Sequence, residues 1–163
     1  MTKTVKIGGA CAFIGDSLLG PRQLVNVDGM QYLVFDYLAE MTLSSFAQAR
    51  KTNRALGYAS DFIDVTLREI LPRCLERGIR LVANAGGLNP SGCAAAIEAL
   101  GKELGCAPRV AFVDGDDSLA LLPALAAEDT RDFYTGGAMP EAIDSANVYL
   151  GALPIARALA LGA

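Results

Sequence analysis

Four short apolar runs, each closing on glycine or polar residues, are the feature that most constrains this chain. They occupy 5–10, 31–35, 79–83 and 109–113, and helical patterns follow them. Four β-loop-α units in series are hard to connect except as a parallel sheet with right-handed crossovers. The sequence therefore predicts an α/β fold: an open parallel sheet with helices on both faces, built from Rossmann-like βαβ units.

The helical patterns lie between and after the predicted strands. They cover 21–27, 40–56, 60–78, 93–104 and a stretch that ends at Ala127. The last apolar segment, 145–161, contains Pro154, and its pattern predicts either one kinked helix or two helical pieces. At 163 residues the chain has room for one well-buried core, so 1–163 is expected to form a single domain.

Composition narrows the class of partner. Hydrophobic residues make up 52% of the chain, so much of it must be buried within a sheet or against a partner. The net charge of -4 offers no broad basic surface, which argues against nucleic acid and anionic membranes. No apolar run reaches the length of a membrane span, and the amino terminus does not resemble a signal peptide. A small-molecule ligand is the remaining expectation.

Histidine and cysteine usage restrict the chemistry further. The chain has no histidine, which excludes a serine-histidine triad or a histidine metal site built from its own residues. Its four cysteines form no CxxC pair and are expected to be reduced thiols, which favours the cytoplasm. Cys11 is either a nucleophile near a strand end or, as we favour in the absence of histidine, a small buried residue.

The candidate site is the carboxyl rim of the predicted sheet, because ligands of open parallel sheets usually bind outside the carboxyl ends of the strands. Each predicted strand ends in glycine or polar residues. The four resulting clusters are expected on one edge, and they lie at 15–17, 36–37, 84–91 and 114–117.

The 84–91 cluster is the most informative of the four. Gly86 and Gly87 allow close approach of the backbone to a ligand, and Pro90 suits a first helical turn. A carboxylate or phosphate is favoured at such a helix start, while a well-capped strand-to-helix turn explains the same residues equally well. Neither the Walker A nor the GxGxxG spacing occurs, so the sequence indicates no standard nucleotide site and no particular cofactor.

Two carboxylates are the candidate catalytic residues. Asp36 ends an apolar strand, where packing seldom requires a charge, so it is a candidate acid, base or hydroxyl-binding group. Asp16 either orients a ligand or caps the following turn. Around these, the predicted ligand-binding residues are Gly15, Ser17, Glu40, Asn84, Gly86, Gly87, Asn89, Pro90 and Ser91.

The acidic cluster at 114–117 has two readings. Asp114, Asp116 and Asp117 suit a hard cation such as magnesium, but a turn followed by a helix start explains them more simply. No metal ligand is therefore assigned. The arginines at 22, 50, 54 and 131 look scattered, so none is assigned to a substrate anion.

Several strings resemble the amino-terminal domain of the acyclic terpene utilisation family. They are GDS at 15–17, DYLAE at 36–40, VANAGGLNP at 82–90 and ANVYLGA at 146–152. The resemblance covers nearly the whole chain and carries over most of the candidate site residues, from Gly15 to Pro90. It implies that the chain is the amino-terminal part of a longer family architecture.

The resemblance also implies a cytosolic role in the catabolism of branched terpenoids such as citronellol and geraniol, through acyl-CoA intermediates. The leading hypothesis is a protein that binds or acts on a carboxylate or acyl-CoA compound, with the anion at 84–91 and with Asp16 and Asp36 near the reacting group. One alternative is a non-enzymatic binding or assembly subunit that docks on another chain through 145–161, in a pathway that the resemblance links to a biotin-dependent acyl-CoA carboxylase. A homo-oligomer is also open. Another is a metal-dependent hydrolase or lyase that uses Asp36 with 114–117.

Overall fold

The computed structural model describes residues 4–163, and it contains three strands and a set of short helices within that range. The strands are β1 (Ile7–Cys11), β2 (Tyr32–Phe35) and β3 (Arg80–Ala83). The helices are α1 (Leu19–Leu24), α2 (Glu40–Thr52), α3 (Arg68–Arg77), α4 (Pro90–Glu103), α5 (Leu122–Ala127) and α6 (Leu153–Ala160). A π-helical segment, Phe62–Leu67, leads directly into α3, and a short 3-10 turn, Leu119–Leu121, leads into α5.

The three strands form an open parallel sheet in the order β1-β2-β3. Tyr32 at the start of β2 is in register with Ile7 of β1 and with Arg80 of β3. The register of the first pair shifts between Gly9 and Cys11. Because all strands run the same way, their carboxyl ends meet at one edge, and the predicted α/β class is confirmed.

The core lies on the sheet face that carries the alternate residues Leu33 and Phe35. Both are buried, and α1 and α3 contact each other over this face while also contacting β1 and β3. Phe62 of the π-helical segment packs against Phe35, with ring centroids 5.1 Å apart. On the opposite face, Val34 stays 37% exposed. One face of the sheet therefore carries most of the apolar packing.

The prediction of a fourth strand at 109–113 is wrong, since this segment takes part in no sheet ladder among the described residues. Instead it lies beside α6, where the Arg109 side chain donates a hydrogen bond to the carbonyl oxygen of Leu161 at 2.8 Å. An apolar run becomes a strand only when a neighbouring edge supplies its hydrogen bonds. The sequence pattern shows the apolar run but not whether such an edge is within reach.

The last apolar segment also differs from both readings that its sequence allowed. Only Leu153–Ala160 is helical, and Pro154 lies in the first turn of this helix. A proline there costs no helical hydrogen bond, because the first amides of a helix have no partner within it. Pro154 therefore starts a helix rather than kinking one.

Burial is distributed unevenly along the chain. The buried residues lie between Gly8 and Gly101, and among residues 107–163 none is buried. We call 4–106 the amino-terminal region and 107–163 the carboxyl-terminal region. The sheet and its core belong entirely to the amino-terminal region.

Candidate functional site

The loops that follow β2 and β3 are joined by a direct contact between two of the predicted site residues. The Asn84 side-chain amide donates a hydrogen bond to the Asp36 carboxylate at 2.6 Å. The Asn84 side-chain oxygen accepts a hydrogen bond from the Tyr37 backbone amide, also at 2.6 Å. Both Asp36 and Asn84 remain solvent-exposed. They meet because β2 and β3 are neighbouring parallel strands that end at the same edge.

The loop that follows β1 reaches this rim through Cys11. The backbone amide of Asp36 donates a hydrogen bond to the Cys11 carbonyl oxygen at 3.1 Å. The Cys11 thiol lies 3.8 Å from the carbonyl oxygen of Asp36. The ends of all three strands are thus connected, and the loop at 12–18 continues from the same edge.

Asp16 organises its own loop. Its carboxylate accepts hydrogen bonds from the backbone amides of Ala12 at 2.9 Å and Ser17 at 2.6 Å. Gly15 has a φ of +81°, which this turn requires, and the Ser17 hydroxyl accepts a hydrogen bond from the Leu19 amide at the start of α1. These contacts give Gly15, Asp16 and Ser17 a local structural role, and a carboxylate that is held in place also presents a fixed charge at the rim.

The 84–91 turn packs tightly against the end of α2. Gly87 has a φ of +50°, and a Cβ atom at this position would lie 2.7 Å from the carbonyl oxygen of Gly57 and would overlap the Phe46 ring. The Leu88 amide donates a hydrogen bond to the same Gly57 carbonyl oxygen at 2.8 Å. Only glycine fits position 87, so this part of the predicted motif is explained by packing.

The helix start that follows the turn is capped by Asn89. Its side-chain oxygen accepts a hydrogen bond from the Gly92 amide at 3.0 Å, and its carbonyl oxygen accepts one from the Cys93 amide, also at 3.0 Å. Pro90 has no amide hydrogen, and the exposed Ser91 hydroxyl lies 3.4 Å from the Asn89 side-chain oxygen. The helix start therefore offers fewer amides to an anion than the sequence suggested.

Glu40 begins α2 and is solvent-exposed. A carboxylate in the first turn of a helix interacts favourably with the helix dipole, so this position has a structural explanation. Gly86 is the other glycine of the turn, and a Cβ atom there would lie 2.9 Å from the Cα atom of Pro90. The close approach at Gly86 serves the turn itself.

Cys11 and Tyr37 lie next to the rim residue Asp36. Tyr37 is buried. Burial strongly raises the pKa of Tyr37, and burial is also the main cause of the raised pKa of Cys11. A higher pKa keeps the Cys11 thiol protonated at neutral pH, which favours the interpretation of Cys11 as a packing residue.

Three basic residues lie together at and just after the end of α2, and two of them, Arg50 and Arg54, were expected to be scattered. Arg50, Lys51 and Arg54 line one open cleft of about 380 Å³, next to Leu88 of the 84–91 turn. The Arg50 guanidinium donates a hydrogen bond to the Leu88 carbonyl oxygen at 2.9 Å. The signal was present in the sequence as three cations within five residues at the end of a predicted helix.

Among the described residues, no strand of the sheet leads directly into the acidic cluster at 114–117. Asp116 accepts a hydrogen bond from the Asn147 side chain at 2.8 Å, and Asp117 accepts one from the Leu119 amide. Asp117 also lines the basic cleft. Within residues 4–163, no three acidic or cysteine side chains are grouped to hold a metal ion, so the cluster needed by the metal-dependent alternative is not assembled.

Comparison with known proteins gives one match. The model of the family described as "Acyclic terpene utilisation family protein AtuA" matches residues 5–163. No curated protein and no solved structure matches the chain. In the part of the chain that the structure describes, every helix is too short or too polar to cross a membrane.

Proposed function

Since the chain belongs to the acyclic terpene utilisation family, we propose that it binds an anionic intermediate of acyclic terpenoid catabolism at the carboxyl rim of its sheet. The intermediate is a carboxylate or an acyl-CoA thioester of the citronellol or geraniol type. Family membership supports the role in acyclic terpene utilisation, and the rim geometry supports the position of the ligand. The observation that carries the position is the hydrogen bond between Asn84 and Asp36.

This hydrogen bond gives Asp36 a defined orientation. The Asn84 side chain that donates it is itself held by the Tyr37 amide. One Asp36 oxygen accepts the bond from Asn84 and the weaker one from the Leu38 amide at 3.3 Å. The exposed carboxylate is thereby held in position to accept a hydrogen bond or a proton from a ligand.

Charge decides which end of the ligand lies at Asp36. Asp16 and Asp36 both carry negative charge at the rim, so an anionic group is repelled from the space beside them. The 84–91 turn leads away from the rim towards the basic cleft, and the four residue steps from Asn84 to Leu88 span at most about 14 Å. We therefore assign the reacting end of the ligand to Asp36 and Asp16, and its anionic end to the turn and the cleft beyond it.

The test is isothermal titration of the purified chain with geranyl-CoA, with free geranic acid and with CoA. We expect the unaltered chain to bind geranyl-CoA or geranic acid, and Asp36→Asn to bind geranic acid about threefold more tightly or better, because the substitution removes a like charge beside the ligand. Asp28→Asn is the matched control, because Asp28 precedes β2 and lies at the other end of the sheet. The proposal fails if neither terpenoid gives heat, or if Asp36→Asn and Asp28→Asn bind alike.

A second candidate function is a binding or assembly subunit, and one observation favours it. Near the end of the chain, Tyr149, Leu153 and Leu161 are exposed by 101%, 84% and 68%. Apolar side chains exposed together are typical of surfaces that contact another chain. Sedimentation equilibrium distinguishes a self-associating form: the unaltered chain should associate and Leu153→Glu should not. Equal behaviour of the two would remove this form of the candidate.

We also propose a cytoplasmic location. Cys11, Cys74, Cys93 and Cys106 are all free thiols, which suits a reducing compartment. Fractionation of cells that produce the protein tests this, and recovery outside the cytoplasmic fraction would contradict it.

A further inference from the structure

The basic end of α2 lies against a strongly acidic part of the carboxyl-terminal region. Between residues 110 and 148 there are eight acidic side chains and one basic side chain, Arg131, a net charge of -7. The opposing surface carries Arg50, Lys51 and Arg54. Opposite charges therefore face each other across the cleft between the two regions.

Asp144 makes the direct contact across this cleft. Its carboxylate accepts hydrogen bonds from the Lys51 ammonium group at 2.7 Å and from the Gln48 side-chain amide at 2.9 Å. The hydrogen bond from Lys51 is the main reason why the pKa of Asp144 is lowered. The carboxylate is thus ionised at neutral pH and occupies part of a cationic surface.

The cleft retains further capacity for negative charge. Arg54 lines it without an ion-pair partner among residues 4–163, whereas Asp117 and Asp144 supply only two negative charges against three positive ones. Ser145 and Asn147 add polar side chains to the same wall. Two guanidinium groups and an ammonium group suit a phosphate better than a single carboxylate, because a phosphate offers more oxygens and more charge.

Little packing holds Asp144 in the cleft. No residue of 107–163 is buried, and the side chains of Lys51 and Asp144 are themselves 54% and 46% exposed. An exposed ion pair of this kind contributes little to stability. Displacement of Asp144 by another anion would therefore break no hydrophobic core.

We propose that this cleft is an anion site for a phosphate or diphosphate group, and that Asp144 is a displaceable carboxylate that occupies the site when no ligand is bound. The link to an acyl-CoA rests on the proposed function: the cleft takes the phosphate end of the ligand, and the rim takes the acyl end. The site itself is independent of that link, since it follows from the cleft and its charges.

The experiment is isothermal titration of the full chain with three probes: inorganic pyrophosphate, CoA and pantetheine, which lacks phosphate. We expect pyrophosphate and CoA to bind and pantetheine not to bind. Lys51→Gln and Arg54→Gln should each weaken pyrophosphate binding about tenfold, the effect of losing one charge-assisted hydrogen bond. Asp144→Asn should strengthen it by about threefold or more, because the competing charge is removed.

One control separates the site from a general charge effect. Arg73→Gln removes an exposed arginine of α3 that is paired with Glu76, and it should leave pyrophosphate binding unchanged. Circular dichroism confirms that each variant is folded before titration.

The outcomes are distinct. Absence of pyrophosphate binding, or an equal loss with Arg73→Gln, overturns the anion site. Binding that is unchanged or weaker in Asp144→Asn overturns the displacement by Asp144. Binding of pyrophosphate without binding of CoA overturns the link to an acyl-CoA and leaves a site for a free phosphate. If geranyl-CoA alone does not bind, this result counts only against the proposed function.

Discussion

The amino-terminal region and the carboxyl-terminal region both contain large apolar side chains and bury them very differently. In 4–106, Leu33, Phe35 and Leu67 are at most 1% exposed. In 107–163, Phe133 and Leu153 are 90% and 84% exposed. The first region has a sheet, and within the described residues the second region adds no strand to it.

The difference shows that apolar content by itself does not produce burial. An apolar side chain is removed from water only when a sheet or helix face holds a second apolar surface against it. In the amino-terminal region, β2 supplies such a face and α1 and α3 cover it. In the carboxyl-terminal region, α5 and α6 are short, and polar contacts with the amino-terminal region include that of Asp144 with Lys51 and that of the Leu159 carbonyl oxygen with Arg80.

The largest effect that tests this comparison is expected from a matched pair of leucine substitutions. Leu33→Ala removes a fully buried side chain and should lower the free energy of unfolding by about 2–5 kcal/mol. Leu121→Ala removes a side chain that is 59% exposed and should change it by less than about 0.5 kcal/mol. Urea unfolding followed by circular dichroism measures both. A comparable loss of unfolding free energy in Leu121→Ala would show that Leu121 packs against other side chains.

A matched pair of glycine substitutions gives a smaller difference and tests the 84–91 turn. Gly87 and Gly136 both have positive φ, at +50° and +66°, but a Cβ atom is blocked at Gly87 and meets open space at Gly136. The strain of a positive φ is common to both, so Gly87→Ala should cost more than Gly136→Ala by about 1–3 kcal/mol, the usual penalty of overpacking. Thermal and urea unfolding provide the comparison, and equal costs would mean that the turn is looser than its contacts indicate.

The smallest effect concerns two carboxylates whose pKa values are lowered. The hydrogen bond from Arg22, which joins α1 to α3, lowers the pKa of Glu69 below 4.5, and hydrogen bonds from Thr135 lower the pKa of Asp132. A carboxylate whose pKa is lower in the folded protein than in the unfolded chain stabilises the fold at pH values above its unfolded-state pKa. This stabilisation is lost as the pH falls through the pKa of the folded state.

We therefore expect Glu69→Gln to flatten the decline of the unfolding free energy below pH 4.5, as measured by urea titrations at several pH values. Asp132→Asn should leave the curve unchanged, because its contacts are local to a region without buried residues. Equal flattening by both variants would indicate that the two regions unfold as one cooperative unit.

Much of the amino-terminal region could be predicted from its sequence. The strands at 31–35 and 79–83, the helix that begins at Glu40 and the approach of Asp36 to the 84–91 turn all follow from apolar runs that end on polar residues. These features depend on local pattern and on the rule that parallel strands end at one edge. The contact between Asp36 and Asn84 follows from that rule once β2 and β3 are neighbours.

The sequence determined which segments are apolar, where the strands of the sheet end and that no histidine chemistry is available. Only the tertiary structure decided that 109–113 stays outside the sheet, that Asn89 uses up amides of the helix start, and that Arg50, Lys51 and Arg54 share a cleft with Asp144. The physical reason is the distance in sequence between the interacting residues. The local pattern determines which element a segment can form, whereas its hydrogen-bond partners and opposing charges come from residues far away in the chain.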